Sequence, residues 1–303
     1  MVIAVNTKIT VKDELEETDN FIFETFSRII KLHPQHTFVL ISETTINDLF
    51  ISSENVMRIA IGAKKKNPAL WYLWYNVRIP AVLKKCKADI FVSYGGIASV
   101  ASRVPQCIII PDLAFIHQPS VFKKSNLLFY KTFIPGSIKN SKAIITFSKF
   151  CKADIIKQYK TDTDKIKVIY KGVNENFKEI GYREREEIKI KFGDGNEYFV
   201  YAGEVGAHKN LLTLLKAFSA FKKRQKSSMQ LLIVGKQGWK YKEFIENLRL
   251  FRFKEEVKIL KDLSLEELVK VTAAAYAMVY SSLYESFATP PLYAMKSGVP
   301  VIT

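Results

Sequence analysis

Cysteine and histidine are sparse in this chain, and neither falls into a pattern. Cys86, Cys107 and Cys151 are odd in number and free of metal-ligand spacing, which excludes a disulfide framework and fits buried thiols in a reducing compartment. His33, His36, His117 and His208 are scattered, so no helical or loop metal site is expected. No run reaches the roughly eighteen uncharged apolar residues of a membrane span. No Pro, Gly or Ser tract marks a disordered linker. The opening Met1-Val-Ile-Ala-Val-Asn6 lacks the basic start, long apolar core and cleavage site of a signal peptide. It reads as a β-strand, and a cytoplasmic location is expected.

What is present fits a folded chain. Of 303 residues, 48% are hydrophobic and 25% charged, ordinary for a globular protein, and the length suggests two domains of about 100 to 200 residues each. The net charge of +16 is the unusual bulk feature, densest at Lys64–Lys66 and Lys84–Lys85. Such a surface serves nucleic acid, anionic lipid or phosphorylated ligands, or is simply lysine-rich. No recognition helix or base-stacking signature accompanies it, so no nucleic-acid partner is expected.

Short apolar runs alternate with longer amphipathic segments, the rhythm of βα units around a parallel sheet. Strands are expected at Val2–Val5, Thr37–Ile41, Ile90–Ser93, Gln106–Ile110, Ala143–Thr146 and Lys167–Tyr170, with helices including Phe21–Leu32 and Lys149–Tyr159. The second half repeats the rhythm with strands at Tyr198–Ala202, Gln230–Val234, Val257–Leu260, Ala277–Tyr280 and Val299–Ile302. Helices are expected near 210–223, 240–250, 264–274 and 290–297. The charged, strandless stretch Phe177–Asn196 separates the halves, giving domains 1–180 and 181–303. In open parallel sheets ligands bind beyond the carboxyl ends of the strands, so functional residues belong in the loops that follow them.

Three segments carry a resemblance: Tyr201-Ala-Gly-Glu-Val-Gly-Ala-His-Lys-Asn-Leu211, Ala143-Ile-Ile-Thr-Phe-Ser-Lys-Phe-Cys-Lys152, and Leu283-Tyr-Glu-Ser-Phe-Ala-Thr-Pro-Pro-Leu-Tyr293 with its continuation to Thr303. Fainter echoes are Pro111-Asp-Leu-Ala-Phe115 and Ile169-Tyr-Lys-Gly-Val-Asn174. Together and in this order they resemble glycosyltransferase family four. The resemblance implies an α/β protein of GT-B fold, in which two Rossmann-like domains face each other across a cleft. The first would be the acceptor side and the second would hold the nucleotide-sugar donor. The family normally continues beyond the strand that ends this chain, so the second domain reads as incomplete, a truncation.

A nucleotide-sugar donor leaves as a nucleoside diphosphate, so the site must hold two phosphates and stabilise charge that grows as the glycosidic bond breaks. Cations and helix amino termini do both. By resemblance, Lys209 grips the diphosphate on a helix start, with Gly203 and Glu204 in the same motif. His208 stands where the family usually has arginine, a weaker clamp at neutral pH. Glu285 matches the first carboxylate of the family's pair, positioned for the donor sugar. The loop Ser286, Phe287, Ala288 and Thr289 leads to Pro290-Pro291, with Thr289 as N-cap. Tyr293, eight residues after Glu285, replaces the second carboxylate, which binds the ribose. Tyr293→Glu is accordingly expected to tighten nucleotide binding about tenfold. Asp112 follows a strand where the family shows His-Asp, here Pro111-Asp112; it reads as a cleft residue or as a turn cap. Gly235, Lys236, Leu263 and Ser264 line loops that surround the base in the family, or are ordinary βα turns.

The leading expectation is a retaining, metal-independent glycosyltransferase acting on a glycan or lipid-linked acceptor. Glu285, Lys209 and Asp112 are its candidate catalytic residues, and no cofactor is expected beyond the nucleotide-sugar co-substrate. The departures at Pro111, His208 and Tyr293 also admit an impaired or fragmentary relative kept as a binding or scaffold protein, or a pseudogene product. Trp71-Tyr-Leu-Trp-Tyr75 among its lysines reads either as a buried helix or as a basic, aromatic surface touching the inner face of the cytoplasmic membrane.

Overall fold

The computed structural model describes residues 1–7, 17–43, 53–62, 68–238 and 240–303. The lysine cluster Lys64–Lys66 lies outside them. The chain divides into two compact units, Met1–Lys171 and Gly172–Thr303.

Unit 1 alternates strands and helices along most of its length. Its strands are β1 (Val2–Asn6), β2 (Thr37–Ser42), β3 (Val56–Ala60), β4 (Ile90–Tyr94), β5 (Gln106–Ile109), β6 (Ala143–Thr146) and β7 (Ile166–Val168). Its helices are α1 (Glu17–Leu32), α2 (Pro68–Leu73), α3 (Ile79–Lys85), α4 (Ala114–His117), α5 (Lys124–Asn140) and α6 (Lys149–Tyr159). The strands form one parallel sheet in the order β3-β2-β1-β4-β5-β6-β7. Its central strands are buried on both faces, Val39, Ile41, Phe91 and Ile108 lying at zero exposure, which is why they read as unbroken apolar runs. Helices α2 and α3 are joined by a π turn, Trp74–Arg78, where the Ile79 amide reaches back five residues to the Trp74 carbonyl. Pro80 lies in the first turn of α3 and has no amide to give to the α-ladder. The wider turn accommodates that gap.

Unit 2 carries α7 (Tyr182–Gly193), β8 (Tyr198–Ala202), α8 (Leu211–Gln225), β9 (Gln230–Val234), α9 (Tyr241–Arg249), β10 (Val257–Leu260), α10 (Leu265–Ala273), β11 (Ala277–Val279), α11 (Thr289–Lys296) and β12 (Val301–Ile302). Its strands are parallel in the order β10-β9-β8-β11-β12. The charged stretch before β8 is mostly α7, whose Ile188 and Phe192 pack on Tyr198 and Val271. Asp194 closes the helix in the left-handed conformation, and its carboxylate takes the Lys258 ammonium at 2.6 Å.

The cysteines are thiols without disulfide partners. Burial pushes Cys107 up to about 11 and Cys151 up to about 12, while half-buried Cys86 is raised by burial against opposing backbone hydrogen bonds. Because the thiolate is the reactive form, a disulfide reagent at about pH 8 should modify Cys86 first, the other two only on unfolding, when their pKa returns to about 8.5. Rapid labelling of all three in the native protein would contradict this packing. The folded state favours the protonated thiols, so their stabilising contribution is complete below the unfolded pKa and is lost as pH rises towards 11 and 12.

Candidate functional site

In a doubly wound sheet the crevice opens where the strand order reverses, because the loops from the two strands flanking that point leave to opposite faces. In unit 2 these strands are β8 and β11, and the loops that follow them hold the motif residues. Gly203 ends β8 with a φ of 143° and Gly235 ends β9 with a φ of 154°. A Cβ on Gly235 would lie 1.8 Å from the Gly203 carbonyl oxygen, so the two loops touch backbone to backbone. Val205 donates to the Lys236 carbonyl at 2.8 Å, and Gly238 donates to the Val205 carbonyl at 3.1 Å. A Cβ on Gly238 would run into the Glu204 carboxylate. Glycine is the residue that permits so close a fold-over.

The loop after β8 then forms a single 3₁₀ turn, Ala207–Lys209, and Asn210 takes a left-handed conformation before α8 begins. Lys209 therefore stands on its own turn ahead of α8, where the sequence pattern suggested the helix itself. From there its ammonium reaches the Glu285 carboxylate in the loop after β11. The Lys209 and Glu285 side chains are only 14% and 24% exposed, a pair held mostly out of water. The same Glu285 Oε1 accepts from the Ser282 hydroxyl at 2.8 Å and the Tyr280 hydroxyl at 3.1 Å. Ser281 ties the two loops together by donating to the Lys209 carbonyl at 2.9 Å, and Ser282 lies 3.5 Å from the His208 carbonyl. The Tyr280 ring stacks on Tyr201 at 6.0 Å and lies 5.8 Å from the Lys209 ammonium. Burial, with the charges of Glu285 and Glu204 adding to it, pushes the Tyr201 phenol up. It stays protonated and donates to the Glu204 carbonyl at 2.9 Å. Tyr280, Ser281 and Ser282 do not stand out in the sequence; their roles come from two loops meeting at the switch point.

Other expected residues take different places. The cap of α11 is Ala288, which makes no side-chain cap bond, and Thr289 is the first helical residue and is buried. Since Pro290 and Pro291 follow it, two of the first four helical positions carry no amide proton. The helix start that Ser286, Phe287 and Ala288 lead into is thus poorer in donors than an ordinary N-terminus. Leu263 packs on the core beneath β8, and Ser264 caps α10 in a reciprocal capping box with Glu267. Asp112 belongs to unit 1, where its carboxylate accepts from the Ala114 amide at 2.8 Å and opens α4, the turn-capping arrangement. At the switch point of unit 1, between β1 and β4, fully buried Asn6 donates to the Tyr75 hydroxyl at 3.1 Å. Its Oδ1 has no partner among the described residues.

Tyr293 stacks face to face on Phe177, centroids 3.9 Å apart and planes 3° from parallel. Such a pair contributes roughly 0.5 to 1.5 kcal/mol beyond its buried area. Tyr293→Glu is therefore expected to lower the melting temperature by several degrees, whatever it does for the ribose, and Tyr293→Phe, which keeps the stacked ring, to lower it less. Thermal unfolding of the two variants side by side checks this; an undiminished melting temperature for Tyr293→Glu would remove the packing role.

Two parallel, doubly wound sheets, one in each compact unit, are the architecture of the GT-B class. The model of "Glycosyltransferase Family 4" matches residues 35–177, and that of "Glycosyl transferases group 1" matches residues 182–303. The chain belongs to the family-four, group 1 glycosyltransferases of GT-B fold. It is 27% identical over 260 residues to the O-antigen chain mannosyltransferase RfbU of Salmonella typhimurium, covering 83% of this chain and 66% of that protein. It is 24% identical over 192 residues to the O-antigen chain mannosyltransferase B of Escherichia coli, covering 63% of this chain and 50% of that protein. The chain thus spans less than two thirds of the length of these relatives. Among solved structures, WaaG, a glycosyltransferase of lipopolysaccharide biosynthesis, is similar with a TM-score of 0.74 at 16% identity, over 99% of this chain and 80% of that one. Anabaena HepE in complex with UDP-glucose gives 0.70 at 15% identity, over 99% and 79%.

Proposed function

We propose that this chain carries the donor site of a hexosyltransferase that moves a sugar, mannose in the first instance, from a nucleoside diphosphate to a glycan or lipid-linked acceptor. The observation that carries the reading is the Lys209–Glu285 pair, set at the switch point of unit 2 and fixed by Tyr280 and Ser282. Lys209 supplies the cation for the diphosphate, with His208 beside it on the same turn, and Glu285 presents its second oxygen to the donor sugar. Gly203 and Gly235 let the backbone of the β8 and β9 loops come close to the nucleotide. The mannose preference is drawn from the two O-antigen relatives.

In this reading transfer retains the anomeric configuration and uses no metal, the departing phosphate taking the acceptor proton while Lys209 stabilises its charge. No nucleotide cofactor is consumed other than the donor itself. The acceptor, or the bilayer in which it is anchored, is met at the inner face of the cytoplasmic membrane. The connected hydrogen-bond network around Glu285 supports a working site over a decayed one, since each buried polar group there has a defined partner. Incubation with mannose and glucose on GDP and UDP, followed by separation of the released nucleotide, tests the reading. Turnover of one donor supports it, and a full panel left intact, with no heat on titration of GDP or UDP, would sink it.

A further inference from the structure

The continuous helical segment Pro68–Lys85, formed by α2, the π turn and α3, is apolar on both sides. Inward it buries Trp74, Tyr75, Ile79 and Leu83. Outward it carries Leu70, Leu73, Val77 and Ala81, three or four residues apart and all exposed, with Leu73 at 50% and Val77 at 57%. A surface helix in water normally turns polar residues outward; here exposed Arg78, Lys84 and Lys85 flank an apolar stripe instead of replacing it. The patch widens onto α5. Exposed Tyr72 packs its ring 5.5 Å from Phe133, and Trp71 meets Phe129 edge-on at 4.5 Å, beside exposed Leu128.

The charges around this stripe have one sign. Residues 68–87 and 123–142 contain no Asp or Glu at all, whereas Lys84, Lys85, Lys87, Lys123, Lys124 and Lys131 are exposed there. A second copy of the chain would bring the same cations face to face. An anionic lipid surface satisfies both features, taking apolar side chains into the headgroup boundary while lysines attract its phosphates and a tyrosine sits at the interface.

We propose that the outward face of α2–α3 and the adjoining part of α5 seat unit 1 on an anionic bilayer, with Leu70, Leu73 and Val77 inserted and the lysines at headgroup level. The proposal deepens the membrane contact in the functional reading above and rests on it. The test uses no donor, so its failure leaves the donor site untouched.

The full chain is sedimented with vesicles of phosphatidylcholine alone and of phosphatidylcholine mixed with phosphatidylglycerol. Binding to the anionic vesicles only, weakened by salt, is expected. Leu73→Glu/Val77→Glu should reduce it about tenfold or more, and Lys84→Ala and Lys85→Ala about fivefold each. These side chains point into solvent, so the melting temperature should stay at the parent value. Binding that is absent, or unchanged by Leu73→Glu/Val77→Glu, overturns the proposal. So does a concentration-dependent dimer that the same pair of substitutions abolishes, which would make the stripe an interface between copies. A large drop in melting temperature would likewise overturn it, because the stripe would then be covered by another part of the protein.

Discussion

Lys209→Ala should abolish most donor turnover while leaving the fold intact. Removing one preorganised charge donor from a site that stabilises developing negative charge costs roughly 100- to 1000-fold in kcat. The Glu285 carboxylate that would be left behind still has the Tyr280 and Ser282 hydroxyls. Stability should therefore fall much less than activity. Lys209→Arg keeps the charge and should recover part of the loss; it cannot recover all of it, because a planar guanidinium does not fit the point contact an ammonium makes. Steady-state kinetics on whichever donor of that panel is turned over, with nucleotide titration alongside, provide the check. An active Lys209→Ala protein would mean that the ammonium only neutralises Glu285 and that the phosphates lie elsewhere. Tyr280→Phe separates the two roles further. Among the described residues it removes one of three donors to Glu285, and it should lower kcat/KM about tenfold without the nucleotide affinity changing comparably.

Gly235→Ala is expected to be the most damaging single methyl in unit 2. The added Cβ would lie 1.8 Å from the Gly203 carbonyl oxygen, and the backbone holds a φ of 154°. Both obstacles are backbone, so no side-chain rotation relieves them. A cost of about 2 to 4 kcal/mol and a melting temperature lower by about 10 °C follow. Nucleotide affinity should fall with it, since the displaced loop is stitched to the one bearing His208 and Lys209. Gly203→Ala meets the Tyr201 hydroxyl at 3.0 Å, a softer neighbour, and should cost less. Calorimetric unfolding of the two variants gives the comparison. Equal stability of parent and Gly235→Ala would show that the two loops do not touch in solution.

Much of the fold was legible because its central strands are largely buried. Tyr198–Ala202, Gln230–Val234, Val257–Leu260 and Ala143–Thr146 appear as apolar runs and fold as the strands expected. Edge strand β3 escaped notice, since Arg58 interrupts its apolar run and none of its residues is fully buried, Met57 being half exposed. Helix α5 is hidden by Pro135 in its interior and by aromatic residues at positions with no clean period. Strand β12 is shorter than the apolar run Val299–Ile302, because the Val299 amide donates to the Ala294 carbonyl at the end of α11 and Pro300 has no amide to give.

By itself the sequence determined the class of protein. The repeated βα rhythm, the Lys209 motif and the Glu285 loop are local patterns, readable from residue type, spacing and the period of buried strands. Which side chains meet was decided only by the tertiary structure. Tyr280 and Ser282 become partners of Glu285, Tyr293 becomes a stacking partner of Phe177, and the Trp71–Tyr75 segment divides into a buried face and an exposed one. The physical reason is that a loop after one strand and a loop after another, far apart in sequence, are brought together by the strand order of the sheet. That order is set by packing over the whole unit, and no local pattern of residues records it.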